Sequence, residues 1–494
     1  MALGNGVIGA PQLAQQLGPW RVADGSTRGR SLQAALAERI TALMLDGRVA
    51  VGVRLPAERT LSEAVGVSRT TVTAAYALLR ESGFAVSRQG SGSYTALPNR
   101  ASAQSSGGWR AADQGVGDDE VIDLMCAAPT APLPSVQTAL RHAAEQLPAY
   151  TGVGTYVPYG IRALREAIAD RYCARGLPTN PDQILVTGGA QGALTLVSRL
   201  LLRPGDRVLV EGPSYPNALD TFRAAQARPM PVPMDGDGWV PGAFEDSLAQ
   251  LRPRVAFSIP HFQNPTGHLM APDRQASLAR AARRAGTWLI ADETITEIAL
   301  DVPAPAPFAA TVSAGDAESV LVCGSMSKSF WGGLRIGWLR GPARVVHELA
   351  AARAAMDLAS PILDQLVAVA VLRGDGSHVE QHRARWREQR EVLMRTVDEL
   401  FPDWSYRVPE GGLSLWVRMG HDEATGLAHR AQTHGVLLHG GSRFGADAGT
   451  FEHYIRLPYT QPAALLVKAM HRISLARAVP GPWQASDHRA DLVA

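Results

Sequence analysis

The stretch CGSMSKSFWGGLRIGW, residues 323–338, holds one of only two lysines among the 48 basic residues of this 494-residue chain; the other is Lys468. In a composition so strongly biased to arginine, a retained lysine points to chemistry closed to a guanidinium. That chemistry is an amine that loses its proton and condenses with a carbonyl to form an imine. Lys328 follows the apolar run SVLVCG (319–324), which reads as a buried strand. Similar runs precede it: QILVTG (183–188), DRVLVEG (206–212), RVAFSIP (254–260) and TWLIAD (287–292), each separated from the next by helical sequence. This alternation predicts an α/β domain with a mostly parallel sheet. From about residue 370 the pattern changes to a long Arg-rich helix and then GGLSLWVRM (411–419), which predicts a smaller C-terminal α+β lobe.

The first hundred residues read differently. SLQAALAERITALMLD (31–46) has apolar residues one turn apart and stops at Gly47. A second helix is expected from near Pro56 to Val65, then a turn at Gly66-Val67. A third runs from an N-cap at Ser68 through Arg80, with Val72, Ala75 and Leu79 on one face. FAVSRQGSGSYTAL (84–97) reads as two short strands around a Gly-rich tip. Helix, helix-turn-helix and hairpin in this order predict a winged helix-turn-helix over residues 26–97. Residues 98–119, rich in Ser, Gly and Ala and without periodicity, read as a linker, and 120–480 as the α/β domain.

Residues 26–95 carry nine Arg against five acids, the bias that a nucleic-acid module needs. Ser68 caps the third helix, so its first turn is expected to present Arg69, Thr70 and Thr71 to base edges and phosphates in a major groove. Arg59 is placed to fix the DNA backbone, and Gly90, with Arg88 beside it, to bring the wing close to a groove. The run from Gly52 to Tyr94 resembles the GntR family of winged-helix regulators over its whole length. That resemblance implies a double-stranded DNA operator as partner.

Residues 120–480 resemble the class I aminotransferases of pyridoxal 5'-phosphate (PLP) fold type I, with the motifs in family order. Joined to a GntR head, the whole is similar to the MocR family of transcriptional regulators. The resemblance implies that Lys328 carries PLP as an imine and that Asp292 pairs with the pyridine nitrogen, with Glu293 as the neighbouring alternative. It further implies that Asn264, in HFQNPTG, donates to the phenolic oxygen, that Tyr215 stacks on the ring, and that Arg456 pairs with a ligand carboxylate. Tyr156 would reach the phosphate of a partner subunit, with Tyr159 three residues away as its rival, and the family's homodimer is implied with it. Gly189, Ala190 and Gln191 open a helix directly after ILVTG, and their N–H groups suit a phosphate dianion. Ser325, Ser327 and Arg335 would add hydroxyls and a guanidinium fork. Thr294 stands where the family often has a tyrosine donating to the phenolic oxygen, and its shorter hydroxyl puts that bond and efficient turnover in doubt.

Composition bounds the rest. The 46% hydrophobic and 19% charged residues suit a folded chain with a large core rather than a disordered one. The N-terminus has no signal-peptide pattern and no run is long enough to span a bilayer, so no membrane partner and a cytoplasmic location are expected. Three scattered cysteines and no ligand-spaced histidines lead us to expect neither disulfide nor metal. The functional expectation is a regulator whose PLP domain senses an amino compound. A working aminotransferase tethered to DNA, or a sensor of PLP itself, are the alternatives.

Overall fold

A computed structural model describes residues 7–18, 20, 31–88, 91–96, 121–152, 156–420, 423–447 and 449–478. The linker read at 98–119 and Gly90 lie outside the described residues. The chain divides into two compact units. One comprises Met1–Met125, Arg418–Ile455 and His471–Ala494; the other comprises Cys126–Val417 and Arg456–Met470.

In the first unit the N-terminal domain has helices α1 (Ala10–Leu17), α2 (Leu32–Leu45), α3 (Glu58–Val65) and α4 (Arg69–Glu81) and the wing strands β1 (Ala85–Arg88) and β2 (Gly92–Thr95). Apolar residues one turn apart bury Leu36, Ile40 and Leu43 of α2 against Leu61 of α3 and Val72 and Leu79 of α4. Gly66 closes α3 in the left-handed conformation (φ 66°), which turns the chain into α4. The wing pairs antiparallel, with Ala85 opposite Thr95 and Arg88 opposite Gly92. Helix α1, which lies before the boundary read at residue 26, adds Leu13 and Leu17 to this core. Its carbonyl at Leu17 accepts from Arg39 Nε at 2.9 Å.

The second unit is built on an eight-stranded sheet: β3 (Ile184–Thr187), β4 (Arg207–Gly212), β5 (Arg228–Asp235), β6 (Gly238–Trp239), β7 (Val255–Ser258), β8 (Trp288–Asp292), β9 (Val320–Ser325) and β10 (Gly337–Arg340). Their spatial order is β3-β10-β9-β8-β7-β4-β5-β6. The neighbours β9/β8, β8/β7, β7/β4 and β4/β5 run parallel, while β10 is antiparallel to both β9 and β3. All five strands expected from the sequence form. Their continuous apolar runs are buried along their length, as helix-covered parallel strands require. The register then sets the site. Asp292 ends β8 opposite Cys323 of β9, which leads into Lys328, and Thr187 ends β3 opposite Gly337, two residues after Arg335. Tyr215 and Asn264 lie beyond the carboxyl ends of β4 and β7. Residues far apart in sequence thus meet at one edge of the sheet, where open α/β sheets bind ligands.

Candidate cofactor site and DNA-facing helix

Lys328 lies in the short helix Met326–Ser329, capped by the Ser325 hydroxyl. Its Nζ donates to the carbonyl of Ala127 at 2.5 Å. Burial pushes its pKa below the ordinary lysine value, and nearby Arg456 and Arg335 press the same way against Cys126 and Asp292. A lysine so placed spends more time as the neutral amine that attacks a carbonyl. Asp292 is buried and accepts from the Thr294 amide at 2.9 Å. Burial raises its pKa, while the Thr294 amide and hydroxyl and the Lys328 charge oppose the rise. Thr294 therefore turns its hydroxyl to Asp292 and holds the carboxylate, a role different from that of the tyrosine whose place it was read to fill. The following residue, Ile295, is apolar and buried.

Glu293 points elsewhere. It accepts from the Phe308 amide at 2.5 Å, and burial pushes its pKa up to about 7. The folded protein therefore binds a proton on Glu293 that the unfolded chain has released above its ordinary value of 4.5. This contribution to stability is present below that value and is lost as pH rises toward about 7. The buried histidines His382 and His261, held down to about 4 and about 3, act in the opposite sense. Glu293→Gln, which leaves both histidines in place, is expected to lose less stability than wild type across that range. Urea midpoints at a series of pH values check this, and parallel curves for the two proteins would refute it.

The Arg335 guanidinium donates to the Gly188 carbonyl at 3.0 Å and to Ser327 Oγ at 3.4 Å. It lies directly on Gly189, where a Cβ would stand 2.7 Å from Nη2; Gly189 itself has φ +78°. Gly337 also packs directly on this backbone, where a Cβ would overlap the Gly189 carbonyl carbon. The helix Gly189–Leu201 thus begins, with the unpaired first-turn amides of any helix, beside a guanidinium. Two hydroxyl and amide expectations change in detail. Ser325 Oγ donates to the Ile336 carbonyl at 3.3 Å and caps the lysine turn, and the Gln191 side chain donates to Thr221 Oγ1 at 2.6 Å. What Gln191 and Ala190 retain for an anion is their backbone position at the helix start.

Arg456 is buried and donates from Nη1 to Asn264 Oδ1 at 3.5 Å. Tyr215 is half-buried, its hydroxyl accepts from Asn217 at 3.0 Å, and Asp292 and Arg456 are near enough to act on its pKa, which burial raises. Tyr156 is 71% exposed and is not gathered into this site within the chain. Tyr159 meets His347 at 2.6 Å instead.

Sequence reading missed two features. The strap Cys126–Ala128 caps the lysine through a backbone carbonyl, which no side-chain motif announces. Glu211, fully buried on β4, accepts from Ser258, Trp239, Gln263 and the Ile259 amide, and Gln263 also donates to Pro213. That network ties the Asn264 loop to the Tyr215 loop.

The residues fit PLP. A half-buried amine, a buried carboxylate and a glycine-lined guanidinium cradle stand together, and the buried Ser214 Oγ and Gln191 Oε1 nearby have no hydrogen-bond partner among the described residues.

In the N-terminal domain Ser68 accepts from the Thr71 amide at 3.1 Å. The Thr70 and Thr71 hydroxyls each fold back to Ser68 Oγ at 2.7 Å, so the threonines reinforce the cap rather than extend outward. Arg69 is 72% exposed with Glu58 at 3.8 Å, and Arg59 is 84% exposed with Glu63 at 3.2 Å. The wing strand β1 ends at Arg88.

A lysine set past the sheet's carboxyl edge, with an aspartate, asparagine and arginine around it, defines the second unit as an aminotransferase-type domain. The chain belongs to the aminotransferase class I and II family, whose model matches residues 125–473, and residues 32–94 match the bacterial regulatory proteins of the gntR family. It is 30% identical to the HTH-type transcriptional regulator YisV of Bacillus subtilis over 76% of this chain and 81% of that protein. It is 29% identical to the HTH-type transcriptional regulator TauR of Rhodobacter capsulatus over 88% and 94%. Among solved structures, the α-aminoadipate aminotransferase LysN of Thermus thermophilus, complexed with N-(5'-phosphopyridoxyl)-L-leucine, aligns with a TM-score of 0.66 and 27% identity over 72% of this chain and 92% of that one. This is the MocR arrangement, and the protein is a transcription regulator with an aminotransferase-like domain. No helix among the described residues is long and apolar enough to cross a membrane.

Proposed function

We propose that this regulator holds PLP on Lys328 and reports the arrival of an amino compound to its DNA-binding heads. The observation that carries the reading is the gathering of Lys328, Asp292, Asn264 and Arg456 at one edge of the sheet, on a chain whose α4 presents an exposed Arg69. When bound, PLP supplies an aldehyde that takes up primary amines and a ring that draws electrons from them. Asp292, kept in place by Thr294, would pair with the ring nitrogen, and Arg335 with the start of the helix Gly189–Leu201 would hold the phosphate. Lys328 keeps the depressed pKa that lets it give up and take back a proton. Arg456 offers a bidentate fork to a ligand carboxylate, with Asn264 orienting it. The protein acts as a homodimer in the cytoplasm, Tyr156 completing the partner's phosphate site and two winged helices reading two half-sites.

The test is Arg456→Ala. PLP content and basal operator binding are expected to persist while the response to a carboxylate-bearing amine disappears. Equal responses in both proteins would remove Arg456 from the mechanism. Steady transfer of the amino group to a keto acid would make the protein an enzyme in its own right. Thr294, turned to Asp292, speaks for slow turnover at most.

At the other end of the chain, Arg69→Ala is expected to weaken operator binding by about 1–3 kcal/mol and to relax preference at the base it reads. Fluorescence anisotropy against operator variants measures this, with unchanged PLP content as the control. Unchanged affinity and preference would displace Arg69 from the recognition surface.

A further inference from the structure

We propose that the end of α2, Leu45–Gly47, is held in a clasp by the turn Phe451–Tyr454 of the same chain, and that this clasp is the docking surface for the DNA-binding head. The contact lies inside the first compact unit, which contains both segments. Leu45 is the last residue of α2, and its carbonyl is one of those a helix leaves without an internal partner. The Phe451 amide donates to it. The Phe451 ring, buried to 4% exposure, covers Gly47 so closely that a Cβ there would stand 2.4 Å from the ring's Cζ. Gly47 has φ +69° and Phe451 has φ +60°, a conformation that an aromatic residue keeps only where its surroundings hold it.

Charge completes the surface. Asp46, between the two contacts, is half-buried, with Arg418 and His453 close by from outside the head and Arg39 and Arg48 from within it. Tyr454 is hydrogen-bonded to Arg418 and close to Asp46. A helix end carrying Asp-Gly is thus matched by an aromatic ring, a guanidinium and an imidazole. The matching turn runs straight into the strand Tyr454–Pro458, which carries Arg456. A shift of Arg456, five residues on from Phe451, reaches the clasp through the chain itself. This regulatory use rests on the proposed sensing function; the clasp does not.

Hydrogen exchange on the full-length, PLP-loaded protein tests it, read at the peptides covering 43–49 and 449–455. Arg418→Glu and Asp46→Arg each place like charges across the clasp and are expected to speed exchange at both peptides about tenfold, with the double variant returning toward wild type. Unchanged exchange in both single variants, or no recovery in the double, would overturn the clasp. Should the charge variants lose PLP, Gly47→Asn tests the same contact by size, because asparagine tolerates positive φ. The same tenfold rise is expected, and its absence overturns the clasp. Protection that falls on dilution would overturn the same-chain assignment in favour of a second copy's head. If the single variants loosen the clasp yet keep a wild-type operator response to amine, its regulatory use is wrong. If wild type responds to no amine, the sensing function falls while the exchange result, and the clasp with it, stands.

Discussion

Lys328→Ala protein is expected to be colourless and to carry no cofactor that borohydride can fix to the chain, whereas Lys468→Ala remains yellow and is labelled like wild type. The asymmetry follows from surroundings. Lys328 is enclosed beside Asp292, Arg335 and Arg456 and has a depressed pKa. Lys468 is exposed on the helix Ala463–Ala478, with no phosphate or pyridine partner described near it. Alanine at 328 leaves Asp292 and the Arg335 cradle intact, so residual noncovalent binding is compatible with the account. Absorbance spectra and peptide mass after borohydride decide the matter. A covalent label retained in the Lys328 variant would place the cofactor elsewhere.

Arg353→Ala is expected to destabilise the protein by at least about 1–3 kcal/mol, the cost of leaving a buried hydrogen-bond acceptor unsatisfied. Arg353 is fully buried. It pairs with Asp357 at 2.6 and 3.0 Å and donates to the carbonyls of Val186 at 2.6 Å and Pro158 at 2.8 Å and to Ser360 at 2.8 Å. Val186 lies on β3, the last strand on its side of the sheet, so the guanidinium satisfies an edge carbonyl that has no further strand to pair with. Its loss leaves several buried acceptors unpaired, three residues upstream of Gly189, so PLP retention should fall with stability. Denaturant unfolding measures the first and cofactor content the second. A change within about 0.5 kcal/mol, ordinary for a surface site, would contradict this reading of the network.

Arg353 also shows where sequence reading ends. Among 46 arginines nothing marks this one as buried, because its partners are mostly backbone carbonyls brought near by the sheet. Lys328, by contrast, stands out in the sequence through its rarity and the strand before it, and Asp292 and Asn264 through motifs that resemble those of the aminotransferases; their side-by-side placement comes from the parallel pairing of the strands. The head was legible helix by helix, because apolar spacing and the Ser68 cap are local signals. Helix α1 was not, since its few apolar residues make a pattern only once Leu36 and Ile40 are there to receive them. Thr294 was noticed for what it lacks, a phenol. Its bond to Asp292 depends on a turn geometry that the sequence does not print.

The central claim is that an amine at Lys328 changes how the heads hold DNA. A ligand shifts that equilibrium only by its differential affinity for the two head arrangements, typically about 1–3 kcal/mol, or roughly 5- to 150-fold in operator affinity. The most direct measurement is titration of operator DNA with PLP-loaded protein at fixed salt, with and without each member of a panel of amino acids and amines. The account predicts a shift of that size for at least one carboxylate-bearing amine and none for PLP alone beyond saturation. Superimposable binding curves across the whole panel would contradict it.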